Sequence, residues 1–289
     1  MEIKSSELIL NPDGSVYHLN IKPEDLAENI IFVGDQDRVE RISKHFDSIT
    51  FQTQKREFKS QTGYYKGKRF TVISTGIGPD NIDIVMNEID ALANIDFNTR
   101  HIKKEISTLN IVRIGTSGSL HKDIPVNSFL LSEYGIGMDN MLHSYLSEAV
   151  CDKILEEAFM EHTQWNPIMG RPYAVSCSKN LAAKLKSNNI FEGITATAGG
   201  FYGAQGRILR LPIQNHSLNT QLESFNFNNK RITNLEMETA AIYGMSKLLG
   251  HNAVSMNAII ANRANGTFSE DPYAAIDKLI LYTLEKLSK

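Results

Sequence analysis

Short apolar runs that stop at glycine and pass into helical patterns recur along this chain. This alternation restricts its fold more than any other feature. Ile30-Ile31-Phe32-Val33 runs into Gly34-Asp35-Gln36-Asp37-Arg38, followed by a helical pattern through Val39, Ile42 and Phe46. Residues 69–74 read as a strand entering Thr75-Gly76-Ile77-Gly78-Pro79, with Ile82, Val85, Met86, Ile89 and Leu92 at helical spacing behind it. Residues 109–112 read as a buried strand, and 128–132, 174–176, 231–235 and 252–260 as further strands. Residues 180–186, 236–249 (stopped by Gly250) and 274–287 read as helices. The pattern predicts an α/β fold, a sheet covered by helices on both faces. There is no linker, repeat or composition break. The expectation is therefore one domain over residues 1–289, with the polar stretch 94–108 as a surface insertion.

Several function classes are excluded by composition. Hydrophobic residues make up 42% and charged residues 22%, which suits a packed core. The net charge of -3 implies no general attraction to polyanions, so no nucleic-acid partner is expected. No apolar run is long enough to span a bilayer, and residues 1–7 lack the layout of a signal peptide. A soluble, cytoplasmic protein without a membrane partner is the expectation. The two cysteines, Cys151 and Cys177, have neither metal-ligand nor disulfide-framework spacing, and no metal is expected.

The most chemically pointed stretch is Arg113-Ile114-Gly115-Thr116-Ser117-Gly118. It reads as an arginine delivered by a strand into a small-residue turn, where backbone N–H groups, a guanidinium fork and the Thr116 hydroxyl suit an oxyanion. Arg38, at a helix start behind Gly34, and Arg56, in a strand-like stretch, offer the same chemistry. Each of those two alone reads as an ordinary exposed charge.

Eight short segments in order resemble the hexameric-type nucleoside phosphorylase family. They are Val16-Tyr17-His18-Leu19, Gly34-Asp35-Gln36-Asp37-Arg38, Arg56-Glu57-Phe58, Ser74-Thr75-Gly76-Ile77-Gly78, Arg113 to Gly118, Phe201-Tyr202-Gly203-Ala204-Gln205-Gly206-Arg207, Asn234-Leu235-Glu236-Met237-Glu238 and Asn262-Arg263. The resemblance implies a three-layer α/β/α fold whose central mixed sheet is partly barrel-like. It also implies a phosphate site of Gly34, Arg38, Arg56, Arg113 and Thr116, and a ribose site of His18, Glu236, Met237 and Glu238. His18 would act in a neighbouring subunit, making a homodimer or homohexamer with shared active sites the working unit. Read from the residues alone, Glu236 and Glu238 also fit as favourable charge at a helix N-terminus.

Base choice falls to Phe201, Gln205, Arg207 and Arg263. Gln205 and Arg207 sit two apart, and together they match the acceptor–donor–acceptor edge of uracil, with Phe201 stacking on the ring. The family's uridine-cleaving members carry this Phe…Gln-x-Arg pattern. Its purine members instead place an acid after the late strand, where this chain has Asn262. The implied reaction is attack of phosphate on the anomeric carbon of uridine, through positioning and electrostatics, with phosphate as co-substrate and no organic cofactor. A monovalent cation between subunits is not expected, because Asn81 stands where some members have serine. Other readings are a purine nucleoside phosphorylase, a nucleoside hydrolase and a non-catalytic nucleoside-binding protein.

Overall fold

The computed structural model describes residues 2–289, and its centre is a sheet that closes on itself. In chain order the elements are β1 (Asn29–Val33), α1 (Gln36–Ser43), β2 (Ser48–Lys55), β3 (Phe58–Tyr65), β4 (Lys68–Ser74) and α2 (Pro79–Asn94). A small hairpin, β5 (Ile95–Asp96) and β6 (His101–Ile102), precedes β7 (Asn110–Ser119), β8 (Phe129–Gly137), α3 (Lys153–Thr163), β9 (Tyr173–Ser176) and α4 (Lys179–Leu185). The remainder is β10 (Ile190–Thr197), α5 (Leu218–Ser224), β11 (Asn226–Phe227), β12 (Lys230–Glu236), α6 (Thr239–Leu249), β13 (Asn252–Asn262), β14 (Thr267–Phe268) and α7 (Pro272–Leu287).

Strands β12, β10, β8, β13 and β7 pair in that order, and β7 returns to β12 to close a five-stranded barrel. On the other side β7 continues into β1, β4, β3 and β2 as an open wing. β1 pairs parallel with both β4 and β7, as two flanking crossovers require. Its run Ile30 to Val33 is wholly buried, as expected of a strand covered on both faces. α1 packs on β3 and β4, while α6 lies against β8, β13 and α2. Ile82, Val85, Met86, Ile89 and Leu92, the periodic face of α2, are all in the core. No described helix is long and apolar enough to cross a membrane.

Three sequence expectations change. Gly115 to Gly118 do not form a turn: β7 runs straight through them to Ser119, because its neighbours β13 and β12 supply backbone partners on both sides. Arg56 is not within a strand but in the two-residue hairpin between β2 and β3, with φ +55°. The helix expected from residue 236 begins at Thr239, because Glu236 completes β12 and Glu238 is the N-cap.

Candidate active site

A cleft of about 770 Å³ opens where β1, β7, β12 and β13 end, a usual position for ligands on parallel strands. Its lining includes Gly34, Arg38, Arg113, Thr116, Phe201, Gln205, Arg207, Glu236, Met237 and Glu238. Ten of the residues expected in one site therefore share one cleft. His18, Arg56 and Arg263 do not line it.

Arg113 is nearly buried, and its side chain lies back along its own strand over Gly115. A Cβ at residue 115 would fall 1.8 Å from Nη1 of Arg113. Gly115 serves this packing, with no backbone anion nest at that point. Nη2 donates to Oε2 of Glu238 at 2.5 Å and lies 3.3 Å from Oε2 of Glu236. Nη1 donates to Oδ1 of Asn257 at 2.9 Å. Burial works against the Arg113 charge, but Glu236 and Glu238 outweigh it and raise the pKa above the usual arginine value. Arg113 is therefore charged in the fold.

The two glutamates divide their work. Glu236 accepts from the backbone N–H groups of Glu238 at 2.9 Å and Thr239 at 2.9 Å, and from the Thr197 hydroxyl at 2.6 Å. It is the anionic cap that the N-terminus of α6 calls for. Glu238 accepts from Gly78 N–H, at the start of α2, and from Arg113. Burial raises its pKa, with Arg113 opposing that shift. Met237, between them, is half-buried and lines the cleft.

Arg38, in the first turn of α1, donates to the carbonyl of Ile114 at 3.2 Å. Burial, followed by repulsion from Arg113, lowers its pKa to about 10. Two guanidinium groups that repel across a cleft are a place where an anion is stabilised.

In the same cleft, Gln205 is 2% exposed and sits at the end of a tight turn capped by Gly206 at φ +70°. Its Oε1 accepts from Arg207 at 2.6 Å and from Arg263 at 2.9 Å. Arg263 also donates to the Gln205 carbonyl at 2.7 Å and to Asn219 at 2.9 Å. Arg263 thus braces the turn that carries Gln205. Arg207 stacks over the Phe201 ring, 3.9 Å from its centroid, and Phe201 is half exposed. Asn262 is buried, with its amide donating to the carbonyls of His121 and Ile124 at 2.8 Å each. It faces structure and not the cleft.

His18, half-buried, and Arg56, exposed, both lie beside Tyr17. His18 lies edge-on to Phe58, and the Arg56 guanidinium is 6.0 Å from the Tyr17 ring. Glu88 on α2 accepts from His18 Nδ1 at 2.6 Å and from the His18 and Leu19 backbone N–H groups.

Two polar residues near the site gave no motif signal. Asn257 stands in a mostly apolar β13, and its one sequence hint is its two-residue spacing from Ser255. Asp139 follows β8 and accepts from the Tyr173 hydroxyl and Met141 N–H, each at 2.9 Å. Burial raises its pKa to about 6. The native state then holds this proton more tightly than the unfolded chain does, so the stabilisation is present below about pH 4 and lost as pH rises through 6. Asp139→Asn is expected to abolish that loss, about 2 kcal/mol of which falls between pH 4.5 and 7.5, in urea titrations compared at those two values.

Comparison with known proteins bears on family and fold. Residues 29–279 match the family model described as the phosphorylase superfamily. A uridine phosphorylase of Thermococcus kodakarensis is 27% identical over 275 residues, covering 92% of this chain and 84% of that one. A DeoD-type purine nucleoside phosphorylase of Listeria monocytogenes is 22% identical over 94% of this chain and 99% of its own. The crystal structure of a Trypanosoma brucei nucleoside phosphorylase, described as showing uridine phosphorylase activity, superposes with a TM-score of 0.88 at 32% identity. It covers 97% of this chain and 99% of that one.

Proposed function

The chain belongs to the phosphorylase superfamily, and on that premise we propose that it cleaves uridine with inorganic phosphate to uracil and ribose 1-phosphate. The observation that carries this reading is one cleft lined both by the guanidinium groups of Arg38 and Arg113 and by Phe201, Gln205 and Arg207. Glu238, bonded to Arg113, and Met237 line the same cleft, and we assign the ribose to them.

Arg38 and Arg113, with Thr116 and the Gly34 turn, hold the phosphate. Glu238 accepts from the ribose hydroxyls, and Met237 lies against the sugar. Gln205 and Arg207 bond to the uracil edge, and Phe201 stacks on its ring. Arg263 keeps Gln205 in place. As the glycosidic bond breaks, negative charge grows on the departing uracil, and the Gln205 and Arg207 donors stabilise it in place. Gln205 Oε1 already accepts from two arginines, so a uracil N3–H competes for it with Arg207, the less buried of the two.

Charge also supports shared sites. Three guanidinium groups line the cleft against five carboxylates (Asp35, Asp37, Glu57, Glu236 and Glu238). A phosphate dianion therefore needs positive charge from elsewhere. Arg56 is exposed and, like His18, lies beside Tyr17. We place both in the cleft of a neighbouring copy, which makes the dimer the smallest complete unit.

The Listeria relative makes purine nucleosides the competing reading. Base release from uridine, cytidine and inosine, with and without phosphate, separates the two. Uridine is expected to be cleaved only with phosphate. Cytidine lacks N3–H and O4, and inosine lacks the second carbonyl of the uracil edge that Gln205 and Arg207 read, so both are expected to be poor. Equal turnover of inosine and uridine would overturn the base assignment.

A further inference from the structure

We infer that Asn257 is a positioning residue for phosphate use, holding Arg113 in its working orientation from inside the barrel. This inference rests on the reading of Arg113 as a phosphate ligand.

The register makes the arrangement legible. In the parallel pairing of β7 with β13, Ser255 lies opposite Arg113, and Asn257 lies opposite Gly115. Residues two apart on a strand share a face, so Arg113 and Gly115 face the same side as Ser255 and Asn257. Gly115 has no side chain, and the Arg113 guanidinium occupies that space. Asn257, directly across, meets Nη1 at 2.9 Å. Glu238 holds the other nitrogen from the opposite direction. The fork is thus pinned at both tips, and only one pin is a residue of the ribose site.

Asn257 is itself held. It is fully buried, and its amide nitrogen has the hydroxyls of Ser255 and Ser132 at 3.3 and 3.5 Å. An oxygen on that side would leave the arginine facing an amide donor, so the surroundings fix which end meets Arg113. From Ser132 the chain continues to Thr195 at 2.5 Å, then Asn234 at 2.8 Å, then Ser117 at 2.9 Å. Ser117 lines the cleft. The barrel interior therefore carries a polar chain that begins at Arg113 and returns to the site. Burying so many polar groups is costly unless each is bonded, and a fully bonded network fixes one arrangement.

An acceptor that holds Nη1 against the strand leaves the remaining guanidinium hydrogens facing the cleft. Without it, a buried donor is unpaired, and the group turns further toward Glu236 and Glu238. Phosphate then loses a preformed partner, while the base site is unaffected.

The test uses N257L, similar in volume but without an acceptor, and N257S, whose hydroxyl is too short to reach Arg113. The expected result is a rise of about tenfold or more in KM for phosphate. KM for uridine should stay within twofold, in variants whose thermal unfolding still shows one cooperative transition. N257S carries the test if N257L does not fold. A purely structural role would lower Tm and leave both KM values unchanged, and that result would overturn the inference. R113K separates the two levels of the argument. If it raises the phosphate KM and the Asn257 variants do not, only the positioning role fails. If it changes nothing, the phosphate reading of Arg113 fails first.

Discussion

Arg113→Ala is expected to abolish measurable phosphorolysis and to cost about 3–5 kcal/mol of folding stability, the usual penalty for stripping one partner from a buried ion pair. Glu236 and Glu238 are both about 5% exposed, and Arg113 is the cation in contact with them. Its removal leaves two carboxylates facing each other without a counter-charge. The loss of activity therefore has two sources, and a second variant separates them. Neutralising both acids in the triple variant Arg113→Ala, Glu236→Gln, Glu238→Gln should recover much of the stability in urea titration. It should not recover the protection by phosphate against thermal unfolding that the double variant Glu236→Gln, Glu238→Gln, with Arg113 intact, retains. Phosphate protection in the triple variant equal to that in the double variant would remove Arg113 from the phosphate site.

Gln205→Leu is expected to lower kcat/KM for uridine roughly 10²–10⁴-fold, the scale on which sites built from hydrogen bonds reject unpaired partners. Leucine is close in volume, so the loss reflects chemistry more than space. The substitution removes the acceptor shared by Arg207 and Arg263, leaving two guanidinium groups without it, as well as the amide that meets uracil. Phosphate should remain able to protect the variant against thermal unfolding as it protects the unaltered protein, because neither Arg38 nor Arg113 is bonded to Gln205. Uridine turnover within threefold of the unaltered protein would remove Gln205 from base recognition.

Much of the architecture was legible in the chain because its strands are short, apolar and closed by glycine, and because α2 repeats its buried face without interruption. Barrel closure left no local trace: the pairing of β12 with β7 joins residues more than a hundred positions apart. The Gly115–Gly118 segment was misread for a physical reason. Glycine in a strand and glycine in a turn look alike locally, and only the position of the Arg113 guanidinium shows that Gly115 is there to make room. Arg56 was misread by the same limit, since Lys55 and Phe58 flank a turn too tight for apolar periodicity to register. The site itself was readable where motif residues project from strand ends into the cleft. It was not readable where a residue acts through another, as Asn257 does, because a polar residue inside an apolar strand gives no sign of what it faces. Glu236 carried both of its possible meanings in sequence, and its bonds to the α6 backbone identify it as a cap as well as a partner of Arg113.

The central claim is that phosphate, and not water, takes the ribose from uridine. The most direct measurement follows the ³¹P NMR spectrum of inorganic phosphate incubated with uridine and the protein, alongside uracil release. A new phosphomonoester signal, that of ribose 1-phosphate, is expected to grow in step with uracil, with no uracil when phosphate is withheld. Uracil appearing with free ribose and an unchanged phosphate signal would contradict the claim.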